Sequence, residues 1–285
     1  MVRTINLDSR GLTAIPPDVF QNLSLTSLSL FQNALNKLPD TLWQLAQLET
    51  LNLGNNLIDA VPDGLGQLRR LRMLDLGHNR LMTLPEAVGE LTALSGFLYL
   101  SDNRLATLPD SLGNLCQLRY LNVGENLLTA LPNRIGDMKA LCELRVHRNQ
   151  LSELPEGIGE LMNLKELHAQ HNQLAALPES VGNLRALREL DLADNALISL
   201  PPSIGRLAHL RRLNLRNNTL TTLPLSVGKL TGLTHLDLRA NPLAALPEEI
   251  SGLLNLEKLD LRWCPLDPPP HWIDVLQKRG CTVYL

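Results

Sequence analysis

Residues 187–210 read LRELDLADNALISLPPSIGRLAHL, and the fold follows from the way this stretch recurs. Leu190 and Leu192 alternate with polar or small residues at period two, so the segment around them is a short strand with one buried face. Asn195 comes where the chain must turn inward, and its amide suits the backbone groups that such a turn leaves buried. Pro201 then opens a short helical turn at its first position, and Ile204, Gly205 and Leu207 return the chain to the next strand. One coil cannot bury its own leucines, whereas stacked copies can.

The copies are present. Asn33, Asn56, Asn79, Asn103, Asn126, Asn149, Asn172, Asn195, Asn218 and Asn241 stand 23 residues apart with one step of 24, and a proline follows six positions after each, from Pro39 to Pro247. Arg10 with Pro16 and Cys264 with Pro270 extend the series, giving about twelve coils from Val2 onward. The asparagine therefore lapses only in the first and last coils. An acidic residue often follows the proline, as in Pro85-Glu86, Pro109-Asp110 and Pro155-Glu156, which suits a helix N-terminus. The extra residue of the long step lies in Leu94-Ser95-Gly96-Phe97-Leu98, just before a strand, where a bulge is expected. After Pro268-Pro269-Pro270 the pattern becomes helix-like over 271–278, followed by Gly280 and a strand over 281–285. The expected organisation is thus repeats over 1–270 and a cap over 271–285. At the other end Val2, Ile5 and Leu7 would face an open edge, so either another segment covers them or the chain is part of something longer.

Composition bounds the function. Of 285 residues 44% are hydrophobic but only 3% aromatic, and leucine supplies most of the difference. That suits one small packing problem solved many times rather than a globular enzyme core. A net charge of -3 offers no global field for nucleic acid. No run reaches the roughly eighteen apolar residues of a helical span, so no membrane partner is expected. Met1 to Ile5 enters the strand pattern, so no secretory leader is expected. Cys116, Cys142, Cys264 and Cys281 show no paired spacing, so reduced thiols in a cytoplasmic setting are expected.

The unit L-x-x-L-x-L-x-x-N-x-L-x-x-L-P-x-x-I-G-x-L resembles leucine-rich repeat proteins, in particular the 23-residue class. It is similar to the Ras-suppressor and plant intracellular Ras-group repeats and to bacterial relatives. The resemblance implies an α/β leucine-rich repeat solenoid, a horseshoe with a concave parallel sheet and short helical or 3-10 turns on the convex side. It also implies a protein–protein interaction scaffold that binds a protein or peptide on the concave face, with intracellular signalling as its setting. The alternative is the recognition domain of a larger kinase or of a secreted bacterial effector, with catalysis elsewhere. The cysteine-flanked caps typical of extracellular members are absent.

The leucines, asparagines and prolines are committed to the coil, so specificity falls to the third, fifth, seventh and eighth positions of each unit. Three zones emerge there. Phe31, Met73, Phe97, Tyr99 and Tyr120 form an aromatic and apolar zone, either an interface anchor or a row of residues packing on one another. Arg145, His147 and Arg148 in one coil and His168 and His171 in the next form a cationic zone. The three histidines could approach one another there, but their spacing is not that of metal ligands and no carboxylate completes them. Arg216, Arg239 and Arg262 form a ladder ending at Trp263, suited to a carboxylate-rich or phosphorylated partner. Asp191, Asp237 and Asp260 hold the fifth position on the same face and could neutralise the arginines. No phosphate loop, G-x-S-x-G or H-E-x-x-H is present, so no enzyme, cofactor or metal is expected.

Overall fold

The computed structural model describes residues 3–285, and every coil in it places the same three positions in a strand. The chain divides into two compact units, Met1–Arg145 and Val146–Leu285. In the first unit the strands are β1 (Thr4–Asn6), β2 (Ser27–Ser29), β3 (Thr50–Asn52), β4 (Met73–Asp75), β5 (Phe97–Tyr99), β6 (Tyr120–Asn122) and β7 (Glu143–Arg145). Each pairs in parallel with the next. In the second unit β8 (Glu166–His168), β9 (Glu189–Asp191), β10 (Arg212–Asn214), β11 (His235–Asp237), β12 (Lys258–Asp260) and β13 (Thr282–Tyr284) do the same. From β2 to β12 the register is set by one central leucine per strand, such as Leu121 and Leu213, which is buried. At the first strand Ile5 and Leu7 are only half-buried, whereas Leu28 and Leu30 one coil later are fully buried. Val2 lies outside the described residues.

Opposite the strand each coil carries a five-residue 3-10 helix, from Pro17–Gln21 to Glu248–Gly252. The recurrent proline does not occupy the first helical position. It stands one residue earlier, as at Pro85 and Pro155, in extended conformation, and its carbonyl accepts the N–H three residues on, as from Val88 at 3.0 Å. The acidic residue after it therefore opens the helix. Only where a second proline follows, at Pro17 and Pro202, does proline enter the helix itself. Adjacent 3-10 helices stack so closely that a Cβ on Gly113 would stand 2.6 Å from the Arg134 carbonyl oxygen. Glycine at this position answers to that approach rather than to backbone freedom.

The asparagines work as the sequence suggested. Asn126 donates from Nδ2 to the carbonyls of Leu100 (2.9 Å), Val123 (3.1 Å) and Gly124 (3.1 Å), and its Oδ1 accepts the Leu105 N–H at 3.0 Å. Asn218 repeats this in the second unit with Leu192, Leu215, Arg216 and Leu197. In the last coil Cys264 donates its thiol to the Leu238 carbonyl at 3.2 Å, reproducing one of the two bonds by which each asparagine reaches the preceding coil. The residue at the eighth position of each coil takes a positive φ, from Ser9 at 56° to Trp263 at 64°. In this conformation its N–H reaches the next coil, as from His78 to the Ser101 carbonyl at 2.8 Å. Polar side chains fill most of these places, in keeping with their tolerance of left-handed backbone, but Ala240 and Trp263 do not.

The inserted residue is absorbed locally. The Gly96 N–H bonds the Arg72 carbonyl at 2.9 Å, and the β4–β5 pairing begins at Leu74↔Leu98. A Cβ on Gly96 would stand 2.9 Å from Met73 Cγ, so the glycine makes room for Met73. At the C-terminal end helix α1 (Ile273–Lys278) starts two residues later than the pattern suggested, and Gly280 turns the chain at φ 93° into β13. Trp272, Ile273 and Leu276 are buried there.

Candidate functional site

Strand positions three and five and the seventh residue form the outer face of the sheet in each unit. In the first unit Phe97, Tyr99 and Tyr120 meet on this face. Phe97 and Tyr120 pack edge to face with centroids 6.1 Å apart, and Tyr99 lies 5.7 Å from Phe97 and 5.0 Å from Tyr120. They pack on one another and remain accessible, with Phe97 37% exposed. Tyr120 is half-buried, and burial chiefly pushes its phenol up to about 12. Met73 borders the cluster from β4. Phe31 stands apart, following β2, where its N–H donates to Asp8 Oδ1 at 2.8 Å.

Arg145 reaches these rings. Its guanidinium lies 6.0 Å from the Tyr120 centroid, and its Nε donates to Glu143 Oε1 at 2.6 Å. A cation over an aromatic face is attracted to the ring as well as to its carboxylate.

Sequence reasoning missed Asp75, the cross-strand neighbour of Tyr99. Its Oδ1 accepts the Gly77 N–H at 2.9 Å, and no lysine or arginine pairs with it among the described residues. Burial raises this carboxyl above 3.8, partly offset by the Gly77 N–H and by His78. The readable signal was glycine at the seventh position of successive coils, Gly54 and Gly77, which leaves the space that Asp75 fills.

In the second unit His168 and His171 each meet a carboxylate. His168 Nε2 is 3.2 Å from Glu166 Oε2, and His171 Nε2 is 3.6 Å from Asp194 Oδ2. The expectation that no carboxylate would accompany them is corrected: the partners come from the third and eighth positions, which the search for ligand spacing did not weigh. His147 and Arg148 lie in the coil before, half-buried and exposed respectively.

The arginine ladder is also paired. Arg262 holds Asp260 through Nε (2.9 Å) and Nη2 (2.7 Å). Arg239 Nε donates to Asp237 at 2.9 Å and lies 3.5 Å from Asp260. Arg216 pairs not with Asp191 but with Asp194, at 2.9 Å, and Asp191 instead accepts the Ala193 N–H. The fifth-position Asp and Asn share this duty throughout, since Asn52, Asn122, Asp237 and Asp260 each accept the N–H two residues on. At Asp260 burial alone would raise the carboxyl, but the Arg262 bonds and the Arg239 charge outweigh it and hold it below 3.8. Beside the ladder Trp263 is 72% exposed, with Arg262 5.7 Å from its ring and 5.1 Å from that of Tyr284.

Next to the ladder lies a hollow of about 190 Å³ across β9 to β12. Its basic side is a third-position row, Arg212, His235 and Lys258, that the sequence reading passed over. Arg212 is already paired with Glu189, and Lys258 rests on the Tyr284 ring at 5.3 Å. The second unit's face therefore carries matched charges, whereas the first unit's combines exposed rings with an unpaired carboxylate. The four cysteines are unbridged, and no helix of the described residues is long and apolar enough to cross a membrane.

Comparison with known proteins agrees with this geometry. A family described as leucine rich repeat matches residues 2–58, 25–81, 47–105, 185–243 and 208–266. A leucine-rich repeat region matches 107–200. No match was found among curated proteins. Among solved structures, a leucine-rich repeat protein of Leptospira interrogans is similar at 28% identity and TM-score 0.52, covering 100% of this chain and 96% of that one. A TDR receptor is similar at 28% identity and TM-score 0.81, covering 90% of this chain and 46% of that one. The ectodomain of the Arabidopsis thaliana receptor kinase GASSHO1/SCHENGEN3, solved with CASPARIAN STRIP INTEGRITY FACTOR 2, is similar at 28% identity and TM-score 0.70. It covers 99% of this chain and 41% of that one. The chain thus spans less than half the length of the two receptors and nearly all of the bacterial protein.

Proposed function

The chain belongs to the leucine-rich repeat family, and from that premise we propose that it is a binding scaffold that docks a protein or peptide on the sheet face of its first unit. The observation that carries this is the Phe97–Tyr99–Tyr120 cluster. One of the chain's three phenylalanines and two of its three tyrosines meet on one outer face, and exposed aromatic anchors are typical of interface centres. Repeats of this family are generally interaction modules, so catalysis is not part of the proposal; fold alone would not decide it. The GASSHO1/SCHENGEN3 ectodomain, seen with its partner factor, supports a peptide or protein as the ligand class.

Two settings follow. A cytoplasmic signalling scaffold is supported by four unbridged cysteines, as a reducing compartment requires. A recognition segment of a larger protein is supported by the two receptors, which are more than twice as long as the part they share with this chain. The test is capture with the intact chain against a variant carrying Phe97→Ser, Tyr99→Ser and Tyr120→Ser. Partners retained by the first and lost by the second support the docking face. Retention of every partner by both contradicts it.

A further inference from the structure

Resting on that reading of the first unit, we propose that its docking face selects an extended protein segment carrying a lysine or arginine for Asp75 next to an apolar side chain for the Phe97–Tyr99–Tyr120 rings.

The charge of the face sets the sign of the partner. On the outer positions of the first unit stand five carboxylates, Asp8, Asp75, Asp102, Glu125 and Glu143, against one guanidinium, Arg145. That guanidinium is held by Glu143 at 2.6 Å, and His78 Nδ1 lies 2.7 Å from Asp102. Asp75 is different. Among the described residues the one hydrogen bond to its carboxylate is from the Gly77 N–H, and no lysine or arginine pairs with it. A half-buried carboxylate without a cation is costly, and a partner's ammonium or guanidinium removes that cost.

Shape leads to the same ligand. Gly54 and Gly77 put no side chain beside the carboxylate, so its flank is bare backbone. Tyr99 stands one strand away, in register with Asp75, roughly 4.8 Å along the sheet. A lysine or arginine whose charge reaches Asp75 lays its methylene stem along the Tyr99 ring. A neighbouring residue of an extended chain, about 3.3 Å further per residue, falls over Phe97 and Tyr120. An acidic segment or a nucleic acid laid over the rings instead meets repulsion from the Asp75 carboxylate.

The experiment uses the intact chain and an immobilised positional-scanning library of N-acetylated, C-amidated hexapeptides. Wild type is expected to retain peptides with Lys or Arg adjacent to Leu, Phe or Tyr. Replacing that Lys by norleucine in the best peptide should weaken wild type at least tenfold and leave Asp75→Asn unchanged. The asparagine keeps the acceptor for Gly77, as Asn52 and Asn122 do for their own glycines, so the variant is expected to fold. Selection of apolar peptides with no basic preference, or with an acidic one, overturns this inference and leaves the aromatic docking face standing. Equal retention by wild type and by the Phe97→Ser, Tyr99→Ser, Tyr120→Ser variant overturns both.

Discussion

The Asp75 carboxylate occupies the space that a side chain at Gly54 would need: a Cβ on Gly54 would stand 3.0 Å from Oδ1 and 3.1 Å from Cγ of Asp75. The two residues belong to neighbouring coils and to different positions of the unit, the seventh and the fifth. Glycine in one coil thus permits a carboxylate in the next, and the carboxylate in turn closes its own coil's turn through the Gly77 N–H.

That arrangement predicts how Asp75→Asn behaves with pH. Because burial raises the Asp75 carboxyl above 3.8, the folded protein holds this proton more tightly than the unfolded chain does. The resulting stabilisation is present below about pH 3.8 and is lost as pH rises through the raised value. Asparagine does not titrate and keeps the hydrogen bond. Asp75→Asn is therefore expected to melt at or above wild type near neutral pH and to lose that advantage in acid. Thermal melts of both proteins from about pH 3 to 8 check this; a variant several degrees less stable at neutral pH would contradict it.

Asp260 predicts the opposite slope. Its carboxyl is held below 3.8 in the folded state, so its contribution is present above about pH 3.8 and lost as pH falls through the lowered value. Asp260→Asn is expected to cost about 1–3 kcal/mol at neutral pH, the range for a charge-assisted hydrogen bond. The gap to wild type should then narrow below about pH 3.8. Chemical denaturation at several pH values measures it, and a gap that stays constant into acid would remove the ion pair as the cause.

Asn126 predicts a local failure. Asn126→Ala leaves the Leu105 N–H and the Leu100 carbonyl without the side chain that serves them, at about 1–3 kcal/mol for each buried group. A loss of about 3 kcal/mol is expected. Since coils contact only their neighbours, hydrogen exchange should accelerate first at Leu105 and Leu127 rather than uniformly. Uniform acceleration would mean that the ladder is not the local clamp described above.

Much of the fold was readable because the same residues recur for the same reason. Asn195 and its equivalents announced the turn ladder, and Leu190 and its equivalents the parallel strands. The proline placement was misjudged by one residue, because its fixed φ suits an N-cap in extended conformation as well as a first helical position. The site was less readable. Phe97, Tyr99 and Tyr120 stand out because aromatics are scarce in this chain. The pairing of Arg216 with Asp194, rather than Asp191, depends on the left-handed turn at the eighth position. The pattern shows that position but not the direction of its side chain. Asp75 was invisible as a single residue, since its character comes from two glycines, Gly54 in the coil before it and Gly77 in its own.

The most direct test of the docking face is the affinity of a partner captured by the intact chain, measured by calorimetry against wild type and against the Phe97→Ser, Tyr99→Ser, Tyr120→Ser variant. The variant's circular dichroism and sedimentation are checked to match wild type. Loss of the three rings is expected to weaken binding by a factor of ten or more, about 1.4 kcal/mol at the least. An unchanged dissociation constant in a folded variant would show that the partner does not dock on this face.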